Sequence, residues 1–356
     1  MQGLVFSGIS ILPLTDCPDN LMIISNGEKM ILACDAGGTK TALSVFSIEG
    51  KKLKSLKSER YVSNEFNSLE EMICNFLKGT GYEIQTGCAG VPGPVVDGIS
   101  NSTNLTWAMD EKKIAEATGI SNFKLVNDLY ALASAVPFLD DDDIITVYEG
   151  AGPKSDGVKA VLAPGTGLGQ GFLVPLENGK FKVIPSEGSH ADFAPTDDLQ
   201  VEMLKFMRAE YGRVSIERVA SGLGLKAIFK FLNDTKIAVP SDELLEAIET
   251  EDMAAMISKF ALEGKDQFAV QALEIFTRVL GSQAGNLVLT LMATGGVYLG
   301  GGIPPKIISK FMEGSFVESY INKGRLSYIV EDTPVYLIKD SNTGLNGAAF
   351  IAAGLV

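Results

Sequence analysis

The chain has 356 residues, of which 46% are hydrophobic and 21% are charged, and its formal net charge is −14 at pH 7. A chain of this length is too long to fold around one ordinary hydrophobic core, so we predict two domains of typical size. The acidic balance argues against nucleic acid as a partner, because binding a phosphate backbone requires a basic face. The scattered cysteines have no Cys-x-x-Cys spacing, and a single histidine, His190, excludes a histidine-rich metal site.

The first residues are apolar, but no lysine or arginine precedes Lys29, so the basic start of a signal peptide is missing. The apolar run is too short to span a bilayer, and no other run is long enough. We therefore interpret residues 1–29 as an N-terminal extension and expect a cytoplasmic protein without a membrane partner.

A β-hairpin is predicted from Met30 to Phe46, with the strand MILACD, a Gly-Gly-Thr turn and the strand TALSVF. Helical stretches and strands follow, and strands are predicted at residues 83–90 and 123–127. After Asp128 the pattern LYALASAVPFL is typical of a helix.

A second unit of the same kind follows four consecutive acids at 140–143, which we interpret as a solvated loop rather than a calcium site. It contains IITVY, then two strands around a glycine-rich turn in VKAVLAPGTGLGQGFLV, and a helical section from about Asp197 to Gly285. A buried strand in GGVYLGGGIPPKI, the strand PVYLI and the helical LNGAAFIAAGLV complete it. The repeated order of elements predicts two related α/β domains with a cleft between them.

Three glycine-rich segments have the chemistry of a nucleotide site. In the first, DAGGTKT, Gly37 and Gly38 allow backbone amides to form a nest for phosphate, and the hydroxyl of Thr39 adds a donor. Asp35 is suited to hold the water shell of Mg²⁺. A plain hairpin turn is the alternative interpretation of this segment.

The second segment, APGTGLG, repeats this chemistry with Gly165, Thr166, Gly167 and Gly169. It is not a Walker A loop, because no Gly-Lys-Ser/Thr follows, and it does not fit the G-x-G-x-x-G of a Rossmann fold.

The third segment, GGVYLGGG, has Gly300, Gly301 and Gly302 at the exit of a strand. Glycines there allow a flat ligand such as adenine or ribose to approach the backbone closely, although close packing of a strand on a helix is an equal alternative.

The order of these segments resembles the superfamily of sugar kinases, Hsp70 and actin, and most closely the bacterial glucokinases of the Escherichia coli type. The resemblance runs from about Met30 to the C-terminus. It rests on the segments SNSTNLTWAMD, LVNDLYALASAVPFL, APGTGLGQGFLV, EGSHADFAP, RAEYGRVSIERVASGLGL and GGVYLGGGIPPK.

This resemblance implies a two-domain α/β fold of the actin and hexokinase type (ribonuclease H-like) with an interdomain cleft. It also implies transfer of the γ-phosphoryl group of ATP, with Mg²⁺, to the 6-hydroxyl of glucose, which gives ADP and glucose 6-phosphate for glycolysis. We predict a small domain of residues 30–138 and 338–356, a large domain of residues 139–337, and a homodimer as the assembly expected for the family.

Matching of the family motifs position by position implies that Asn127, Asp128, Glu187, His190 and Glu217 bind the sugar and that Asp128 is the catalytic base. Taken singly, each of these residues also fits a structural role, as a helix cap, a turn residue, a half-buried histidine or a solvated acid. The residues implied in nucleotide binding are Asp35 (also as the Mg²⁺ residue, through water), Gly37, Gly38, Thr39, Lys40, Gly165, Thr166, Gly167, Gly169, Gly300, Gly301 and Gly302.

Two departures from the family pattern are informative. Lys40 stands where close glucokinases more often have an uncharged residue, and a side chain that points to solvent is the favoured interpretation. No cysteine-rich zinc motif follows His190, which favours the zinc-free glucokinase group.

Three other functions compete with this one. A kinase of mannose, fructose or an amino sugar stays open, because the sequence does not give the shape of the pocket. A sugar-sensing regulator would need a DNA-reading module, which the residues before Lys29 do not provide. An Hsp70- or actin-like ATPase would lack the EGSH and ERVASG segments, and both are present.

Overall fold

The computed structural model describes residues 29–50, 52–101, 105 and 107–356. They fall into two compact units, one that ends at Asn127 and one from Asp128 to Val356. The predicted N-terminal extension, apart from Lys29, lies outside the described residues.

The first unit is built on a five-stranded sheet in the order β3-β2-β1-β4-β8, with a small three-stranded sheet of β5, β6 and β7. Strands β1, β2 and β3 are antiparallel, and β4 and β8 run parallel to β1. Its elements are Met30–Ala36 (β1), Lys40–Glu49 (β2), Lys52–Val62 (β3), Leu69–Leu77 (α1), Thr86–Val91 (β4), Val95–Val96 (β5), Ile99–Ser100 (β6), Met109–Asp110 (β7), Glu111–Thr118 (α2) and Asn122–Asn127 (β8).

The interior of this sheet follows from its sequence. The residues from Ile31 to Cys34 in β1 are fully buried, as expected for a central strand covered on both faces. Helix α1 begins after Ser68, whose side chain accepts a hydrogen bond from the Glu71 amide, and it buries an apolar stripe. The predicted hairpin 30–46 is confirmed, whereas the strand predicted at 83–90 begins only at Thr86.

The second unit contains a six-stranded sheet in the order β12-β11-β10-β13-β14-β9. Its elements are Asp128–Ala135 (α3), Ile144–Tyr148 (β9), Lys159–Pro164 (β10), Leu168–Pro175 (β11), Phe181–Ser186 (β12), Asp198–Tyr211 (α4), Gly222–Asp234 (α5), Asp242–Thr250 (α6), Met253–Leu262 (α7), Gln267–Leu291 (α8), Val297–Leu299 (β13), Ile308–Met312 (α9), Ser315–Ile321 (α10), Ser327–Glu331 (α11), Val335–Ile338 (β14) and Thr343–Ala353 (α12).

Both large sheets share one pattern: three antiparallel strands in succession, then two strands parallel to the first. In the second unit, β9 adds an antiparallel edge beside β14. The duplication of elements predicted from the sequence is therefore confirmed at the level of strand order.

Helix α3 packs closely on α12. A Cβ atom added to Gly347 would lie 1.7 Å from the carbonyl oxygen of Ala131, so only glycine permits this approach. The rings of Phe138 and Phe350 stack with their centroids 3.9 Å apart. Residues 128–138 and 338–356 thus contact each other within the unit from Asp128 to Val356, and the predicted limits of the two domains stay a prediction.

The helical section of the second unit forms its largest core around α8. This helix begins after Asp266, whose carboxylate accepts hydrogen bonds from the Ala269 amide and from the amide and hydroxyl of Ser241. Within the described part of the chain, none of the helices combines the length and apolarity that crossing a membrane requires.

Candidate active site

The second glycine segment forms the tight turn between β10 and β11. Ala163 pairs with Gly169 and Pro164 with Leu168, and the Gly165 amide donates to the Gly167 carbonyl at 2.8 Å. Thr166 is exposed at the tip. Apart from Gly165 and its two chain neighbours, no described residue has an atom within 4 Å of the position that a Gly165 Cβ would take, so the tip borders open space in which a phosphate can be met by amides.

The N-terminus of α5 holds this turn in place. The Gly222 amide donates to the Gly165 carbonyl at 2.8 Å, and the Leu223 amide donates to the Thr166 carbonyl at 3.3 Å. The Ser221 hydroxyl accepts from the Gly224 amide at 3.1 Å and caps the helix. The amides at the start of a helix often bind anions. Here two of them donate to carbonyl groups of the hairpin and hold it in place.

Three of the predicted sugar ligands lie together. His190 is at the end of the 3-10 turn Gly188–His190 that follows β12, and Glu217 is in the 3-10 turn Ile216–Arg218. The His190 Nε2 lies 3.6 Å from Glu187 Oε2, and its Nδ1 lies 3.9 Å from Glu217 Oε1. The side chains of Glu187 and His190 are exposed, whereas that of Glu217 is only 25% exposed. Acceptors and a ring donor therefore converge on one solvent-accessible surface, as a polyhydroxylated ligand requires.

Glu217 also contacts the glycine turn. Its Oε2 accepts a hydrogen bond from the Leu168 amide at 3.1 Å. A Cβ atom on Gly167 would lie 2.6 Å from the same oxygen, so the glycine makes room for the carboxylate. One carboxylate thus joins the predicted sugar ligands to the predicted phosphate hairpin.

The two 3-10 turns are held against each other by main-chain bonds. The Ile216 amide donates to the Ala191 carbonyl at 2.9 Å, and the Phe193 amide donates to the Val214 carbonyl at 3.0 Å. Arg213 donates to the carbonyl of His190 and, at 2.7 Å, to the carboxylate of Asp192. The relative position of His190 and Glu217 is therefore fixed by the backbone rather than by the weak contact between their side chains.

Asp128 is the first residue of α3 and is exposed, and its Oδ1 accepts a hydrogen bond from the Leu129 amide at 2.8 Å. The next turn of α3 packs on the sheet through two glycines of the predicted nucleotide site. Cβ atoms on Gly169 and Gly300 would lie 2.8 Å from Leu129 and 3.0 Å from Leu132. These two glycines are thus explained locally by close packing of the helix that carries Asp128, and their contact with nucleotide stays a prediction.

The third glycine segment is bonded to the base of the same hairpin. The Gly300 amide donates to the Leu162 carbonyl at 3.0 Å, and the Ile303 amide donates to the Pro164 carbonyl at 3.1 Å. Gly301 has a φ of 82°, a left-handed conformation that favours glycine, and Gly302 is exposed. The second and third segments therefore form one continuous surface.

The first glycine segment belongs to the unit that ends at Asn127. The Gly37 amide donates to the Lys40 carbonyl at 3.0 Å and closes the turn. Ser63, after β3, binds this turn with its amide to the Thr39 carbonyl at 3.0 Å and with its hydroxyl to the Gly37 carbonyl at 2.6 Å. Lys40 is exposed, and the role of its side chain stays a prediction.

Asp35 is the next-to-last residue of β1, and Asn127 is the last residue of β8. Asp35 is partly buried in β1, and the Asn127 amide group donates to the Gly93 carbonyl at 3.1 Å. Burial and the neighbouring Asp35 carboxylate raise the pKa of the Cys34 thiol. Burial raises the pKa of the Cys88 thiol to about 12. Both thiols therefore stay protonated at neutral pH and have no nucleophilic role here.

Residue types did not reveal two parts of the site. The Leu168 amide is a main-chain group that no residue type discloses, and Arg213 is one charge among many on an acidic chain. Ser221 had a readable signal, because a serine directly before a helical stretch predicts an N-cap. Among the described residues no group of three or more histidine, cysteine, aspartate or glutamate side chains is arranged to hold a metal ion.

Comparisons with known proteins identify the family of the chain. The family model described as Glucokinase matches residues 32–355. A glucokinase of Nostoc sp. is 36% identical over 342 residues, covering 92% of this chain and 99% of the relative, and one of Escherichia fergusonii is 34% identical over 320 residues, covering 90% and 96%. The crystal structure of a glucokinase from an Antarctic psychrotroph matches with a TM-score of 0.80 and 30% identity, covering 92% of this chain and 99% of that one. These matches and the shared strand order confirm the predicted α/β fold class of the actin and hexokinase type.

Proposed function

The chain belongs to the glucokinase family, and from this premise we propose how its residues transfer the γ-phosphoryl group of ATP to the 6-hydroxyl of glucose. One observation supports the proposal most directly: Glu217 lies beside His190 and accepts a hydrogen bond from the Leu168 amide of the Gly-Thr-Gly hairpin. A group suited to a sugar hydroxyl is thereby bonded to a loop suited to phosphate.

The sugar is bound by Asn127, Glu187, His190 and Glu217. Ionised carboxylates accept hydrogen bonds from hydroxyl groups more strongly than neutral acceptors do, which suits a ligand with hydroxyls around its ring. The imidazole of His190 adds a donor or an acceptor between the two glutamates. His190 acts in binding and is not the base.

Asp128 takes the proton of the 6-hydroxyl. As the sugar oxygen forms its bond to the γ-phosphorus, the O–H proton passes to the Asp128 carboxylate, and the bond from phosphorus to the bridging oxygen of ADP breaks. The position at the first turn of α3 supports this role, because the positive end of the helix dipole stabilises an ionised carboxylate. General-base assistance of this kind contributes about 10²- to 10⁴-fold to a rate.

The phosphates of ATP are met by main-chain amides and hydroxyls of the two hairpins, with Thr39 and Thr166 as side-chain donors. Gly301 and Gly302 border the adenosine. Phosphoryl transfer depends chiefly on positioning and on stabilising charge, so a rigidly held hairpin is the contribution expected of the protein.

Mg²⁺ fits the donor set around the first hairpin. Nucleotide-bound Mg²⁺ is typically held by one or two carboxylates, water and phosphate oxygens, and Asp35 supplies a partly buried carboxylate at the end of β1. When bound, the ion neutralises charge on the phosphate groups. Asp35 would hold it through water.

We further propose a cytoplasmic homodimer. The absence of Cys-x-x-Cys spacing suits a reducing compartment, and the dimer is the expectation for the family. Sedimentation equilibrium of the purified protein tests the dimer, and a monomer at micromolar concentration would contradict it.

The sugar is tested by an ADP-release assay across glucose, mannose, fructose, glucosamine and N-acetylglucosamine, with the Asp128→Asn protein as the blank. Glucose is expected to have the highest kcat/KM. A higher value for another hexose would reassign the substrate while leaving the reaction type in place.

A further inference from the structure

Gln170 has a buried side-chain amide that takes no part in the proposed reaction. It lies in β11, three residues beyond Gly167, and pairs with Ser186 at the end of β12. The residue is only 1% exposed. Across the part of the chain that the structure describes, no group accepts a hydrogen bond from its Nε2.

An unpaired buried amide is unfavourable, because it loses its hydrogen bonds to water without replacing them. A methionine would fill a similar volume without that loss. We therefore expect the N–H groups of the amide to gain an acceptor in another state of the protein.

The surroundings of Gln170 identify that state. A Cβ atom on Gly188 would lie 2.7 Å from Gln170 Oε1 and 3.0 Å from Ser186 Oγ, so the amide packs directly against the turn that carries Glu187 and His190. The Ser186 hydroxyl accepts a hydrogen bond from the Gly188 amide at 3.0 Å. Gln170 and Ser186 thus support the turn from the side of the sheet.

We propose that Gln170 is a positioning residue for the sugar: its amide sets the position of the Glu187–His190 turn, and its Nε2 gains an acceptor in that turn when glucose binds. The inference rests on the proposed sugar site. It adds a residue on the strand of the phosphate hairpin that acts on glucose affinity without touching the reacting atoms.

The test is Gln170→Met, with glucose binding measured by calorimetry and thermal unfolding measured without ligand. We expect unchanged or higher thermal stability of the free protein, since an unpaired amide is removed. We also expect glucose Kd and KM to rise about five- to tenfold, while kcat and the KM for ATP change less than about twofold. A residue with a merely structural role would instead lower stability and leave the two KM values unchanged.

Gln200 provides the matched control. It is also buried, but both polar atoms of its amide are bonded: Nε2 donates to Asp197 at 2.8 Å, and Oε1 accepts from the Thr196 amide at 3.1 Å. Gln200→Met is therefore expected to lower thermal stability without changing the KM for glucose.

A suppressor tests the contact with Gly188. The backbone of Gly188 is not left-handed, and the closest contact of an added Cβ atom is Gln170 Oε1 at 2.7 Å, with the rotatable Ser186 hydroxyl next at 3.0 Å. Gly188→Ala is expected to raise the glucose Kd, and Gly188→Ala combined with Gln170→Ala to return it to the value of Gln170→Ala alone.

The outcomes separate this inference from the proposed function. Wild-type protein that does not bind glucose overturns the sugar site and this inference with it. Wild-type protein that binds glucose, together with a Gln170→Met protein that binds it equally well, overturns only the role of Gln170.

Discussion

The two glycine hairpins occupy equivalent positions in two sheets of the same strand order, but they are held by different groups. In the first unit the turn between β1 and β2 is bonded to Ser63, which follows β3. In the second unit the turn between β10 and β11 is bonded to the start of α5 and to Glu217. The second hairpin is thus bonded to a predicted sugar ligand, Glu217.

The difference lies in the segment that follows the third strand of each sheet, which is β3 in the first unit and β12 in the second. In each unit this strand leads into a 3-10 turn, Ser63–Glu65 after β3 and Gly188–His190 after β12. In the first unit this turn bonds the hairpin directly through serine. In the second unit the turn carries Glu187 and His190, and Glu217 is the residue that bonds the hairpin. The fold supplies the frame, and the segments that follow the third strand supply the chemistry.

The largest effect is expected at Asp128, the exposed acid at the start of α3 in the second unit. Asp128→Asn keeps the size of the side chain and removes the proton acceptor, so kcat should fall about 10²- to 10⁴-fold while glucose affinity stays within about threefold. Steady-state kinetics and calorimetry measure the two quantities. A protein that retains more than about a tenth of wild-type kcat would rule out Asp128 as the base.

A smaller effect is expected at Gly167 in the second hairpin. Alanine there would displace the Glu217 carboxylate from the Leu168 amide, because its Cβ would lie 2.6 Å from Oε2. The KM for glucose should rise about tenfold, with little change in thermal stability since a flexible side chain yields. Gly165→Ala is the control, because its added methyl group meets no described residue other than its chain neighbours. Equal glucose KM values for Gly167→Ala and Gly165→Ala would show that the bond between Glu217 and the hairpin does not contribute to glucose binding.

The first hairpin should respond differently. In Gly37→Ala the new Cβ would lie 2.8 Å from the Lys40 carbonyl oxygen, which is backbone and cannot yield easily. The turn shifts, so the KM for ATP should rise about threefold, while the affinity for glucose in the absence of nucleotide is unchanged. Calorimetric glucose binding that weakens as much as in Gly167→Ala would remove the distinction between the hairpins.

The sequence predicted the hairpins well because their signals are local: glycines between two apolar strands. It did not reveal β3 or β12. The residues from Lys52 to Val62 are largely exposed, with lysines and serines between scattered leucines, so apolar alternation is weak in this edge strand. Strand β12 is short, with only Val183 fully buried, and its pattern is equally weak.

For three of the predicted sugar ligands the sequence indicated which residues lie together, but it did not indicate the bonds that hold them. Glu187, His190 and Glu217 were implied by the family motifs, and the structure brings them together. The bond from the Leu168 amide to Glu217 could not be predicted, because it joins a backbone group to a side chain 49 positions away. The unpaired amide of Gln170 likewise depends on packing that residue types do not disclose.

The smallest effect is expected away from both hairpins, at Lys323. Burial lowers the pKa of its ammonium group from 10.5 to about 8, and Nζ donates to the carbonyl and hydroxyl of Ser282. Between these values the unfolded chain binds a proton that the folded chain does not, so this group makes the free energy of unfolding rise with pH across that window. Below about 8 its contribution is constant.

Urea unfolding from pH 7 to 10.5 measures this slope. The difference between wild type and Lys323→Met should change with pH in that window, while kcat/KM for glucose at pH 7 is unaffected. A difference that is constant with pH would show that Lys323 titrates normally in the folded protein.

The bond between Glu217 and the Leu168 amide is tested most directly by the glucose affinity of the protein with and without a non-hydrolysable ATP analogue, measured by calorimetry. In the wild type the analogue should tighten glucose binding about fivefold or more, and Glu217→Gln should reduce that factor toward one in addition to weakening glucose itself. An equal coupling factor in both proteins would contradict the account, because the sugar ligands and the second hairpin would then not act as one bonded unit.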